Sequence, residues 1–147
     1  VKEKKYEIRV PEKSIKEFKK KLKGETKRSS GRSMTYKLSR LKQIITGWIN
    51  YYGIANMKSA AESLDGWLRR RIRMCIWKEW KKIKTKHENL VKLGLNTYKA
   101  WEYANTRKGY WRISNSPILS RTLTNKRLKE MGLPSILETY NLKHQFC

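Results

Sequence analysis

Aspartate is almost missing from this chain. Asp65 is its one Asp, among 12 acidic residues set against 36 Lys and Arg in a length of 147. Enzymes that move phosphoryl groups hold their metal ions with clustered carboxylates. No such cluster exists here, so metal-dependent phosphoryl transfer by this chain is excluded. Cysteine and histidine are as scarce. Cys75, Cys147, His87 and His144 follow no metal-ligand spacing and support neither a zinc site nor a Cys–His nucleophile. Two distant cysteines read as reduced thiols of a cytoplasmic protein. No apolar run nears the roughly 20 residues a membrane span needs, and no secretory signal opens the chain. A first residue of Val rather than Met is what a piece of a longer protein would show.

What is present is positive charge, a net +24. Such a charge repels itself unless a polyanion neutralises it, and nucleic acid is the natural partner. Basic and acidic residues number 16 and 5 in residues 1–50, 12 and 4 in 51–100, and 8 and 3 in 101–147. That spread fits a basic face running through a fold better than a detachable arm. Six Trp and eight Tyr are too many for a disordered basic tail.

The periodicity is helical apart from a short N-terminal strand remnant. Tyr6–Val10 alternates like a short strand, and Pro11 ends it. Ser14 and Glu17 form a capping box that opens a helix with Ile15, Phe18 and Leu22 on one side. Residues 23–33 read as a polar loop. A second helix is expected from Ser33 to Tyr52, with Gly53 as its stop. Its apolar Leu38, Leu41, Ile45, Trp48 and Tyr52 fall within about 80° of one another. Its opposite face carries Ser39, Arg40, Gln43, Thr46, Gly47 and Asn50, where a merely solvated face would carry Lys and Glu. Gly47 in mid-helix costs roughly 1 kcal/mol against Ala. Either a partner approaches the backbone there or another helix packs closely on it.

A capping box at Ser59 and Glu62 opens a third helix running to about Trp80, with Ala61, Leu64, Leu68, Ile72 and Cys75 as its core stripe. Arg69, Arg70, Arg73, Trp77 and Trp80 are expected on the other side. Residues 81–86 read as a linker. Shorter helices follow over 87–93, closing on Gly94, and over 97–105, with Trp101 and Ala104 inward. Ser116 caps a helix with Pro117 at its first position. Thr124 to Met131 closes on Gly132, and Ser135 with Glu138 is a third capping box. The fold class is all-α: three long helices, then a compact set of short ones.

Three stretches have the chemistry of nucleic-acid binding, in which arginine forks take phosphate and aromatic faces take bases. In WLRRRIRMCIWKEWKK (67–82), Arg70, Arg73, Trp77 and Lys81 share one helix side. The alternative is that the tryptophans pack against the second half and the arginines are solvated. Lys27, Arg28 and Arg32 flank Ser29, Ser30 and Gly31 in a phosphate cradle or a plain connector. Arg107, Lys108 and Arg112 interleave with Tyr110 and Trp111, as a strand-tracking surface or a buried aromatic turn.

Together, GWINYYG (47–53), the 67–82 run and ANTRKGYWRISNSPILSRTLTN (104–125) resemble, in order, the C-terminal part of bacterial group II intron-encoded reverse transcriptase/maturases. The resemblance implies a thumb or maturase (X) domain over 1–84, a bundle of three roughly parallel helices, and a short-helix, DNA-binding-like region over 85–147. It implies intron RNA and an RNA/DNA template–primer duplex as partners, with target DNA and the parent's finger and palm domains beside them. Splicing, retrohoming and a bacterial cytoplasm, with nucleoid association during action on DNA, are implied too. The family's Tyr-Ala-Asp-Asp motif is absent, and with one Asp no disguised version exists. No His-Asn-His nuclease pattern follows residue 125. The expectation is therefore a non-catalytic piece without a cofactor of its own, whose parent polymerase would use magnesium. On this reading the second helix's small polar face tracks a wide, shallow A-form minor groove, while Arg40 and the 69–73 arginines take phosphates. The competing reading is a basic helical domain docking an acidic protein or an anionic surface, which calls for a continuous exposed apolar face.

Overall fold

The computed structural model describes residues 9–29 and 31–145. Among these residues it contains helices and no strand: α1 (Glu12–Glu25), α2 (Met34–Tyr52), α3 (Lys58–Glu79), α4 (Ile83–Lys92), α5 (Thr97–Ala104), α6 (Tyr110–Ser114), α7 (Pro117–Thr122), α8 (Asn125–Glu130) and α9 (Ile136–Gln145). The all-α expectation holds. The strand expected over Tyr6–Val10 falls mostly outside the described residues, and Arg9 and Val10 carry no regular structure.

α1, α2 and α3 meet along one apolar seam. Phe18 and Leu22 face Leu38, Leu41, Ile45 and Ile49, and both rows pack on Ala61, Leu64, Leu68, Ile72 and Ile76. Each fully buried Leu, Ile or Phe contributes about 1.5–3 kcal/mol, which exceeds any difference in helix propensity. Trp48 and Tyr52, expected in the core, are only half-buried at its edge, and Ile49 takes the buried position instead. The Trp48 indole lies flat on Phe18, centroids 4.2 Å apart and 7° between planes, so that α1 closes over the flank of α2.

Helix boundaries follow local caps in some places and burial in others. Ser33 Oγ accepts from Tyr36 N at 3.1 Å, as expected. The box at Ser14 is not used. α1 begins at Glu12 behind Pro11, and Ser14 Oγ accepts from the Tyr52 hydroxyl at 3.2 Å. α1 also runs on to Glu25, which shortens the expected loop to residues 26–33. The box at Ser59 is not used either. α3 starts behind Met57, which has no side-chain cap but is buried in the core, so an apolar anchor sets the start. The expected linker over 81–86 shrinks to a turn at Lys81 and Lys82, because α4 starts at Ile83. Gly94 and Gly132, at φ +98° and +106°, end α4 and α8 with the same pair of bonds. Leu95 N and Leu133 N reach back to the carbonyls of Leu90 and Leu128, each at 3.0 Å. Trp101 is corrected from core to surface: it is exposed and stacks on the His87 ring at 3.7 Å, while Ala104 is buried as expected.

α3 is the spine. Its charged side chains cap the ends of four other helices, each with the sign the helix macrodipole favours. The Asp65 carboxylate, 5% exposed, sits at the N-terminus of α9. It accepts from Ile136 N at 2.7 Å, Leu137 N at 3.0 Å and the Ser135 hydroxyl at 2.8 Å. Ser135 Oγ itself accepts from Glu138 N, so the third capping box forms on its serine side. The arginines take C-terminal carbonyls. Arg71 donates to Lys23 O and Thr26 O at the end of α1, at 3.3 and 3.0 Å. Arg73 donates to Leu123 O beyond α7 at 2.9 Å. Arg70 donates to Trp111 O in α6 at 2.9 Å and to Ser114 Oγ at 3.3 Å. α9 is further tied to the bundle by the Tyr140 hydroxyl on Ala55 O at 3.1 Å and by Lys143 Nζ on Asn50 O at 2.6 Å.

Candidate nucleic-acid interface

The outer face of α2 is open. Ser39, Gln43, Thr46, Gly47 and Asn50 are all exposed. A Cβ built on Gly47 would meet nothing within 4 Å, so close packing by another helix does not explain this glycine. Beside it, α1 and α2 bound a groove of about 600 Å³ that Gly47, Trp48 and Tyr51 help to line. Tyr51 is 76% exposed at its rim. Arg40 is held rather than free. It pairs with Glu25 at 3.5 Å and donates to Gln43 Oε1 at 3.0 Å. That bond engages the Gln43 carbonyl, and the amide NH2 of Gln43 remains a donor.

The arginine–tryptophan run divides between structure and surface. Trp77 is 2% exposed, with Trp80 at 5.9 Å and Lys86 Nζ 4.8 Å from its ring centre. It belongs to the core, as the packing alternative had it, and its place on a free arginine–tryptophan surface is corrected. Arg73 is 8% exposed and bonds Leu123 O and Asn125 Oδ1, so it too faces protein. Its pKa is lowered by burial first and by neighbouring Arg69 second. Periodicity placed both residues away from the core stripe but did not reveal that Leu123 and Asn125 cover Arg73 and that Lys86 of α4 lies against Trp77. Arg69 and Arg70 are half-buried, and Lys81 is exposed. Arg70 stacks on the Trp111 indole at 3.7 Å.

The remaining expected residues lie at the surface. Arg28 sits over Tyr110 at 4.8 Å and Arg32 over Tyr36 at 4.6 Å, both exposed. Ser30 lies outside the described residues. Arg107, Lys108 and Arg112 are exposed around Trp111, itself 37% exposed, whereas Ile113 is fully buried. The 104–119 segment is thus a staple on its inner side and a basic surface on its outer side.

One cluster escaped the sequence reading. Lys16, Lys19, Lys20 and Lys23 of α1, with Trp67, Arg71 and Trp111, line a second hollow of about 600 Å³. Arg71 and Trp111 continue it into a smaller one that reaches Lys27 and Arg28. The signal was available as lysines at i, i+3, i+4 and i+7. Among the described residues no His, Cys, Asp and Glu group could hold a metal ion, and no helix is long and apolar enough to cross a membrane. Cys75 is buried, donating to Thr26 O at 3.2 Å. Burial pushes its thiol pKa up, against the pull of Lys37 and Arg71.

Fold and surface together define an all-helical, strongly basic domain whose one aspartate caps a helix. Residues 15–94 match the family described as group II intron, maturase-specific domain, and the chain belongs to that family. Among curated proteins none matches it. Membership ties the chain to group II intron splicing and its RNA; the matched domain is the maturase-specific one, not the catalytic polymerase. The match spans α1 to α4, and α5–α9 lie beyond it.

Proposed function

We propose that this chain is a non-catalytic RNA-binding part of a group II intron reverse transcriptase/maturase. It clamps intron RNA and the template–primer duplex, in support of splicing and retrohoming. The observation that carries the reading is the outer face of α2, exposed from Ser39 to Asn50 around an unobstructed Gly47. The eleven helical steps from Ser39 to Asn50 span about 16 Å, enough to lie along several nucleotides of an A-form minor groove. That groove presents 2′-hydroxyls and base edges to short polar groups. Long cations would hold the helix away from it; Ser39, Thr46 and Asn50 would not. Gln43, oriented by the Glu25–Arg40 pair, offers its amide donor without first losing side-chain freedom.

The lone aspartate supports the non-catalytic part of this reading, because its oxygens are engaged in capping α9. A thumb over 1–84 and a DNA-binding-like region over 85–147 complete the proposal. The test is a salt-titrated isotherm on structured group II intron RNA, with an unrelated RNA of equal length as control. Preference for the intron should survive at 200 mM salt, where purely electrostatic binding through six to ten phosphates falls by roughly 10³–10⁵ from its 50 mM value. Equal and salt-labile binding to both RNAs would mean that the chain supplies only electrostatic grip, with specificity residing in the parent's polymerase domains. Gly47→Leu should weaken RNA binding with helicity unchanged; binding equal to the parent protein would overturn the role given to α2.

A further inference from the structure

We propose that the lysine-lined hollow between α1, α3 and α6 is a second nucleic-acid site, for a single strand with unstacked bases, separate from the duplex-reading face of α2. The two hollows use different sides of α1. Lys21 and Glu25 border the α1–α2 groove, whereas Lys16, Lys19, Lys20 and Lys23 border this one. α1 is therefore a ridge between them, and both can be filled at once.

No carboxylate lines this hollow among the described residues. Four ammonium groups and the Arg71 guanidinium gather positive charge around it, which a polyanion is suited to neutralise. The side chain at its base is fixed in advance. Arg71 donates to Thr26 Oγ1 at 3.1 Å, Thr26 O at 3.0 Å and Lys23 O at 3.3 Å. The walls are aromatic: Trp67 has Lys19 Nζ 4.9 Å from its ring centre, and Trp111 carries Arg70 at 3.7 Å. Indoles paired with cations form platforms on which bases stack without regard to sequence.

Shape selects the strand. A duplex keeps its bases stacked and so hides the faces that an indole would take. A flexible single strand can lay its phosphates along the lysine row, about 10 Å from Lys16 to Lys23, and turn its bases onto the tryptophans. The track continues past Arg71 and Trp111 to Lys27 and Arg28, so the strand has an exit. None of this depends on α2, and failure of either site leaves the other standing.

The experiment measures anisotropy of a labelled oligouridylate on the whole chain, with and without a saturating unlabelled RNA hairpin duplex. Oligouridylate should bind the duplex-loaded protein and quench its indole fluorescence. The double variant Lys19→Gln/Lys23→Gln alters two exposed side chains, and its thermal melt verifies the fold. It should weaken oligouridylate binding roughly tenfold and flatten the log–log salt slope by about 1.4, leaving duplex affinity unchanged. Gly47→Leu should do the reverse. Competitive displacement of oligouridylate by the duplex, or equal loss of both ligands in the lysine variant, would overturn the second site.

Discussion

Replacing Asp65 with Ala should destabilise the protein more than any other single change to a charged residue. The carboxylate makes three hydrogen bonds of 2.7, 2.8 and 3.0 Å, two of them to backbone N–H groups in the first turn of α9. Loss of a helix N-cap costs about 0.5–2 kcal/mol. The Ile136 N–H is buried, and leaving it without an acceptor adds about 1–3 kcal/mol. A negative charge at a partly buried helix N-terminus is worth up to about 2 kcal/mol more. These effects overlap, and a combined loss of about 3–4 kcal/mol is expected. At about 2–4 °C per kcal/mol for a chain of this size, Tm should fall by roughly 10 °C. Asp65→Asn keeps one acceptor but sets an amide NH2 against one or two donors, so it should fall between Ala and the parent. Thermal and urea unfolding by circular dichroism supply the magnitude. Hydrogen exchange supplies the place: protection should drop first over 136–145, where α9 leaves Asp65. A Tm shift under about 2 °C for Asp65→Ala, or exchange that rises evenly across the chain, would refute the capping role.

Three further outcomes are expected. Gly47→Leu should raise stability by about 0.5–1 kcal/mol, because the site is open and Leu is the better helix former, even as RNA affinity falls; the melt and the isotherm move in opposite directions. Arg73→Ala should cost about 3 kcal/mol by orphaning Leu123 O, whereas exposed Arg112→Ala should stay within about 0.5 kcal/mol and change only nucleic-acid affinity and its salt slope. Cys75 holds its proton more tightly folded than unfolded, because burial raises its pKa. Its contribution to stability is therefore complete below the ordinary thiol pKa and declines as pH rises above about 9, once the unfolded thiol ionises first. Urea midpoints from pH 7 to 10 should show that decline in the parent protein and a smaller one in Cys75→Ala.

Much of this architecture was legible because its determinants are local. Ser33, Ser116 and Thr124 bond an amide three residues on, and Gly94 and Gly132 close turns spanning five. Such bonds depend on neighbours in the chain, so short patterns report them. The apolar stripes of α2 and α3 are legible for the same reason, since helical periodicity by itself aligns their side chains. Two of the expected capping boxes failed where burial outweighed a hydroxyl: Met57 anchored α3, and Ser14 was drawn toward Tyr52.

The amino-acid sequence by itself determined an all-helical fold, a strongly basic protein suited to a polyanion, and a chain with a single Asp among its few carboxylates. Which positive charges meet that polyanion was decided by tertiary structure alone. Arg70, Arg71 and Arg73 are chemically identical and nearly adjacent, yet each is directed to the end of a different helix 41 to 50 residues away. Asp65 reaches across 71 residues to cap α9. A helix end is an electrostatic target only once packing has delivered it. The same packing turned Trp77 inward and left the α1 lysines around an open hollow.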